Sequence, residues 1–257
     1  MKEEKITGAE AFMQALIHEG VTTIFGYPGG GIMPVFDALY DHQNDFRQIL
    51  VRHEQGAAHA AQGYARSSGK VGVCLVTSGP GATNTITGIS DAMLDSTPIV
   101  VISGQVGAAA LGTDAFQEVD FVCITQPICK WSYQIRRAED IAWAVARAFY
   151  IAGSGRPGPV VLDFAKNAQT SMVDFKPAKL SVQRGFIPVP QPTSDAISGS
   201  CRTISGTNTS KKSVNAEQIN TTQAVLKMKR PPSLAQPRMI IGTLSAKYIK
   251  PIGSPNP

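Results

Sequence analysis

The residues Arg52-His53-Glu54-Gln55 follow a predicted strand, Gln48 to Val51, and open a stretch rich in small residues: Ala57, Ala58, Ala60, Ala61 and Ala65. That order puts one carboxylate, Glu54, at the end of a strand and the start of a helix, a common place for reactive groups in open α/β sheets. A carboxylate so placed can accept, hold and return a proton. It could equally be a favourable negative charge at a helix N-terminus. Two glycine-rich turns accompany it, Gly29-Gly30-Gly31 and Gly79-Pro80-Gly81. Each follows a strand and precedes a helix, which lets backbone N–H groups approach a ligand closely. Neither turn is a P-loop or a GxGxxG run, so ordinary mononucleotide and dinucleotide readings fail on the residues themselves. Either turn alone could also be a tight connection with no ligand.

The elements that must position these groups alternate. Thr7 and Glu10 form a capping box ahead of Phe12, Leu16 and Ile17, and Gly20 ends that helix. A strand at Thr22–Phe25, a helix at Met33–Tyr40 and the strand at Gln48–Val51 follow. Then come a helix at Glu54–Ser68, a strand at Val71–Val76, a helix at Thr83–Leu94 and a strand at Ile99–Ser103. An amphipathic helix at Glu139–Ala152 and a strand at Pro159–Phe164 close the series. Apolar strands alternating with helices predict an α/β fold with an open parallel sheet covered on both faces.

Composition divides the chain. Residues 1–169 hold twelve Lys+Arg against sixteen Asp+Glu, and residues 170–257 hold twelve against three, so the net charge of +5 belongs to the tail. The basic balance therefore implies no nucleic-acid face on the first part. The charged start, Met1 to Ile6, lacks the apolar region of a secretory signal and the Arg/Ser-rich, acid-poor character of a transit peptide. No run approaches the eighteen apolar residues that a membrane helix needs, so no membrane partner is expected. Cys74, Cys123, Cys129 and Cys201 show no CxxC spacing and read as free thiols of a cytoplasmic protein, with no metal site. His53 and His59 have no carboxylate or cysteine at ligand spacing and read as packing or pocket-lining residues.

Five ordered motifs carry a resemblance. They are Phe25-Gly26-Tyr27-Pro28-Gly29-Gly30, Arg52-His53-Glu54-Gln55, Thr77-Ser78-Gly79-Pro80-Gly81-Ala82-Thr83-Asn84, Asp114-Ala115-Phe116-Gln117-Glu118 and Ser154-Gly155-Arg156-Pro157-Gly158-Pro159-Val160. Over about residues 5–169 they resemble the N-terminal pyrimidine-binding domain of thiamine-diphosphate enzymes, and more narrowly the acetolactate synthase large subunits. The Asp114–Glu118 segment is the part closest to that narrower group and weighs against a pyruvate oxidase. Glu54 weighs against the glyoxylate carboligase branch, where valine stands at this position.

The resemblance implies a cofactor, thiamine diphosphate, and a role for each residue. Glu54 would hydrogen-bond N1′ of the aminopyrimidine, favouring the imino tautomer that removes the thiazolium C2 proton. Tyr27, Pro28, Gly29 and Gly30 would line the pyrimidine pocket. Pro80 and Asn84 would shape its loop, although Pro80 could be purely structural. Phe116 and Gln117 would face the substrate channel, with Gln117 able to donate to a carboxylate or carbonyl oxygen; a plain surface position is the alternative. Arg156 matches the position that contacts FAD, bound in these enzymes without net redox chemistry, but could instead cap the preceding helix. The implied reaction condenses two pyruvates to 2-acetolactate with loss of CO₂, or pyruvate with 2-oxobutyrate, in branched-chain amino-acid synthesis. The implied assembly is a homodimer or higher oligomer, with a regulatory small subunit as a further partner.

The resemblance ends before the family's FAD-holding middle domain and its C-terminal domain, whose Gly-Asp-Gly…Asn motif ligates Mg²⁺. Three regions are expected: the pyrimidine-binding domain at 1–169, an interdomain linker at 170–195, and an atypical tail at 196–257 rich in Ser, Thr, Asn, Lys and Pro, a composition that cannot readily bury a core. A one-base shift around Gly199–Thr203 would restore a plausible helix. The same shift turns Met228-Lys229 into a stop, so one shift cannot account for the whole tail. The chain alone is therefore expected to be inactive, and a non-catalytic fragment or pseudogene product is the alternative to a catalytic subunit.

Overall fold

A computed structural model describes residues 5–178 and 180. Expectations for the linker beyond residue 180, for the tail at 196–257 and for Cys201 lie outside the described residues. The core of the fold is a parallel sheet of six strands: β2 (Thr23–Gly26), β3 (Arg47–Leu50), β4 (Gly72–Val76), β5 (Ile99–Gln105), β6 (Trp131–Ile135) and β7 (Val160–Ala165). Their order is β3-β2-β4-β5-β7-β6. A separate antiparallel pair joins β1 (Ile6–Thr7) to β8 (Met172–Val173), with Ile6 opposite Val173.

The period of two in these strands divides the interior. Val73, Leu75, Val100, Ile102, Val160, Leu162 and Phe164 face one side, where they meet α1 (Gly8–His18), α2 (Met33–Asp41) and α7 (Ile141–Gly153). Cys74, Val76, Ile99, Val101 and Val161 face the other, against α3 (Glu54–Ser68), the short α4 (Pro80–Thr83), α5 (Ile86–Leu94) and α6 (Phe121–Thr125). Strands β4 and β5 are buried along their whole length, which is why they read as continuous apolar runs. A last short helix, α8 (Lys166–Thr170), follows β7.

The expected α/β architecture is present, with differences of detail. Thr7 caps α1 by accepting from the Glu10 N–H at 3.2 Å, but the Glu10 carboxylate turns to Gln14 and His42. The predicted helix Thr83–Leu94 is broken at Asn84-Thr85. There the Thr85 hydroxyl donates back to the Ala82 carbonyl at 2.6 Å and the Thr83 hydroxyl to Pro80 at 3.2 Å, local bonds that compete with a continuing helix. Edge strand β6 and helix α6 were not expected, and β5 runs two residues further, to Gln105. Among the described residues no helix is long and apolar enough to cross a membrane.

Helix and sheet approach closely where Gly72 enters β4. A Cβ there would stand 2.1 Å from the carbonyl oxygen of Ala61 in α3. Gly72→Ala must therefore push α3 off the sheet, at a cost of about 1–3 kcal/mol. Urea denaturation would show this as a lowered midpoint; an unchanged midpoint would mean the two layers separate freely.

Candidate active site

The strand order explains why the candidate residues gather. From β2 the chain goes out to β3 on one side and returns past it to β4 on the other. The loops after β2 and β4 thus diverge at a topological switch point, where open α/β sheets place ligands. Gly26 lies opposite both Leu50 and Leu75, so the carboxyl ends of β2, β3 and β4 are level. The turn at 27–31, the start of α3 and the loop at 77–84 therefore sit side by side.

Glu54 is the first residue of α3, and its side chain is 9% exposed. The Asn84 side-chain amide donates to its Oε2 at 2.9 Å, a contact made possible by the break after α4. Among the described residues Asn84 is the one hydrogen-bond partner of this carboxylate, which leaves Oε1 able to accept from a ligand. The close backbone of Gly81 keeps that oxygen uncovered: a Cβ at Gly81 would lie 3.3 Å from Oε1 and 2.7 Å from the Thr77 methyl. Cys74, beneath Glu54, is fully buried, and burial followed by the nearby carboxylate pushes its thiol far above the ordinary range. It is an inert thiol.

The two glycine turns lean on each other. The Thr77 hydroxyl accepts from the Gly31 N–H at 3.2 Å, and Cβ atoms at Gly29 or Gly31 would fall within 2.6 Å of the Thr77 or Ser78 side chains. Gly30 has open space around it. Tyr27, Pro28 and Pro80 are exposed at the same edge. Gly79 has a positive φ of +56°, backbone that favours glycine, and a Cβ there would stand 2.6 Å from the carbonyl oxygen of Gln117. The segment Asp114–Glu118 thus docks on the Gly79-Pro80 turn. Gln117 is half-buried with φ +61°, and Phe116 beside it is 87% exposed.

Arg156 stands apart. It precedes β7 and so lies at the amino edge of the sheet, opposite Glu54. Its guanidinium donates to the Ser96 hydroxyl at 2.7 Å and to the carbonyls of Met93 and Leu94 at 3.0 and 3.1 Å. It thereby caps α5 rather than the preceding helix; the carbonyls at the end of α7, Ile151 and Ser154, are taken by Lys130. The two histidines do not pack. His53 is an exposed N-cap whose Nδ1 accepts from the Gln55 N–H, and exposed His59 lies 3.8 Å from Asp91.

Sequence reasoning passed over a buried polar group behind this edge. Asp163, in β7, is completely buried and accepts from Ser103 at 2.8 Å, Gln105 at 3.1 Å and Gln134 at 2.8 Å. Burial outweighs those three bonds and pushes its carboxyl up to about 6. The signal was a lone Asp within Val160-Val161-Leu162-Asp163-Phe164. A separate cavity of about 430 Å³ opens elsewhere, beside Glu19, Tyr64, Lys70 and Phe149, and contains none of the candidate residues. Among the described residues no cluster of three or more His, Cys, Asp or Glu could hold a metal ion.

Residues 6–124 match the thiamine pyrophosphate enzyme, N-terminal TPP binding domain, family. The matched segment is thus a thiamine pyrophosphate enzyme N-terminal domain, and Glu54 with its two glycine turns lies within it. Curated relatives narrow the class. The chain is 52% identical over 178 residues to the acetolactate synthase of Arthrospira platensis, covering 68% of this chain and 31% of the relative. It is 54% identical over 168 residues to the acetolactate synthase large subunit of Lactococcus lactis, covering 65% and 29%. Within the family, its N-terminal region is therefore similar to acetolactate synthase large subunits, and the chain spans about a third of the length of the curated relatives it matches.

Proposed function

We propose that residues 5–169 are the pyrimidine-holding half of an acetolactate synthase active site, which condenses two pyruvates, or pyruvate and 2-oxobutyrate, with loss of CO₂. The observation that carries this reading is Glu54, a buried carboxylate at the switch point of the sheet with one oxygen held by Asn84 and the other free to accept. When bound, thiamine diphosphate supplies a carbon nucleophile and a sink for the electrons released on decarboxylation. Glu54 holds a proton at the aminopyrimidine N1′, and its desolvation strengthens that bond. The Tyr27–Gly30 turn and the Pro80–Asn84 loop would line the pocket that holds the ring. Gln117 donates to the carboxylate or carbonyl oxygen of the substrate, and the exposed ring of Phe116 faces the substrate channel beside it.

On this reading FAD and Mg²⁺ belong to the complete enzyme, with Arg156 the residue of this chain closest in type to an FAD contact. The assembly is a homodimer or higher oligomer joined by a regulatory small subunit, and the compartment is cytoplasmic. A test joins residues 5–178 to the remaining length of the Lactococcus lactis large subunit and measures acetolactate formed from pyruvate with thiamine diphosphate, Mg²⁺ and FAD. Turnover is expected. A folded, cofactor-loaded chimaera that forms no acetolactate would remove the assignment.

A further inference from the structure

We infer that Gln105 is a positioning residue for this site: one buried side-chain amide holds both ends of the loop that carries Phe116 and Gln117. Gln105 ends β5 and is almost wholly buried. Its Oε1 accepts from the N–H of Val106, where the loop leaves the sheet, at 2.8 Å. Its Nε2 donates to the carbonyl of Val119, where the loop returns, at 2.9 Å. The second Nε2 hydrogen goes to Asp163 Oδ2 at 3.1 Å.

Asp163 sets the direction of the clamp. Its Oδ2 also accepts from the Gln134 amide and its Oδ1 from the Ser103 hydroxyl, so an amide turned the other way would aim its oxygen at a carboxylate and leave Val106 and Val119 unmatched. The loop so closed is not relaxed. Asp114 and Gln117 both have positive φ, which persists only where the surroundings hold it. Gln117 also rests on the Gly79 backbone, so the stance of the loop decides where Gln117 stands beside the glycine turns. Two further ties act within it: Asn167 Oδ1 accepts from the Ala108 N–H and Glu118 Oε1 from the Gly112 N–H. The clamp is the bond set that links the two ends.

The inference rests on the reading of Phe116 and Gln117 as substrate-facing, but its test needs neither cofactor nor turnover, so either can fail alone. Amide hydrogen exchange is measured on the full 257-residue chain and its variants. Gln105→Met, which keeps the shape and loses all three bonds, should speed exchange of the amides at 107–118 by about tenfold or more beyond any change in β4 and β5. Gln105→Glu can still accept from Val106, and the one proton its carboxyl shares with the adjoining Asp163 carboxylate is held between those two groups, so Val119 loses its donor and the acceleration should concentrate at 116–119. Asp163→Asn should leave the loop protected to within about twofold, because its oxygen can accept from both glutamines while its amide donates to the Ser103 hydroxyl. Loop exchange unchanged in both Gln105 variants, acceleration shared equally with the strands, or a loop freed as fully by Asp163→Asn would each overturn the inference.

Discussion

Replacing Glu54 by Gln in the chimaeric subunit is expected to slow exchange of the thiazolium C2 proton by about 10² to 10⁴, the usual size of a general acid–base contribution. The variant keeps the side-chain shape, and its carbonyl oxygen can still accept from Asn84, whose amide stands 2.9 Å from Oε2. What is lost is the negative charge able to hold a proton at N1′. FAD content should stay the same, since Arg156 lies at the opposite edge of the sheet and Glu54 touches nothing there. An exchange rate equal to that of the unmodified protein would leave Glu54 as a helix-terminal charge.

The second large effect concerns stability. The Asp163 carboxyl is raised from 3.8 to about 6 in the folded chain. Well below pH 3.8 the group is protonated in both folded and unfolded states, and its full contribution is present. As pH rises from 4 to 6 the unfolded chain releases the proton while the folded chain retains it, so stability falls; above 6 the loss is complete. The shift corresponds to about 3 kcal/mol. Asp163→Asn has no such titration. Urea denaturation from pH 4 to pH 7 should therefore show the variant gaining about 2.4 kcal/mol on the parent, most of the full shift, other titrations cancelling in the difference. A difference that stays flat with pH would show that burial does not penalise this charge.

Much of the scaffold was legible in the chain because its signals are local. The bounds predicted for the helix Glu54–Ser68 are those observed, since a polar N-cap, a run of small residues and a terminal Gly69 in left-handed conformation mark both ends. Continuous apolar runs located β4 and β5 for the same reason. Strand β6 was legible in principle, through the alternation of Trp131, Tyr133 and Ile135, but five residues between irregular segments make a weak period. The break at Asn84-Thr85 was not, because it depends on hydroxyls bonding to carbonyls one turn back.

Within the site, the place of Glu54 was readable from its neighbours, whereas its bond to Asn84, 30 residues away, needs the level ends of three strands. For Arg156 an FAD contact was expected, with a cap on the preceding helix as the alternative; the carbonyls it bonds are 62 and 63 residues distant, at the end of another helix. Gln105 and Asp163 carried no motif at all. Their significance lies in a contact across 58 residues that only the pairing of β5 with β7 creates.

The pairing of β1 with β8 has a consequence for how the domain can be rewired. Ile6 and Val173 face each other, so the polypeptide enters and leaves at one point while every candidate residue on the carboxyl edge is reached by loops within. A unit with adjoining ends tolerates circular permutation and insertion into a host sequence. The whole pyrimidine half could accordingly be moved as a cassette through a single seam, without cutting any of the turns that surround Glu54.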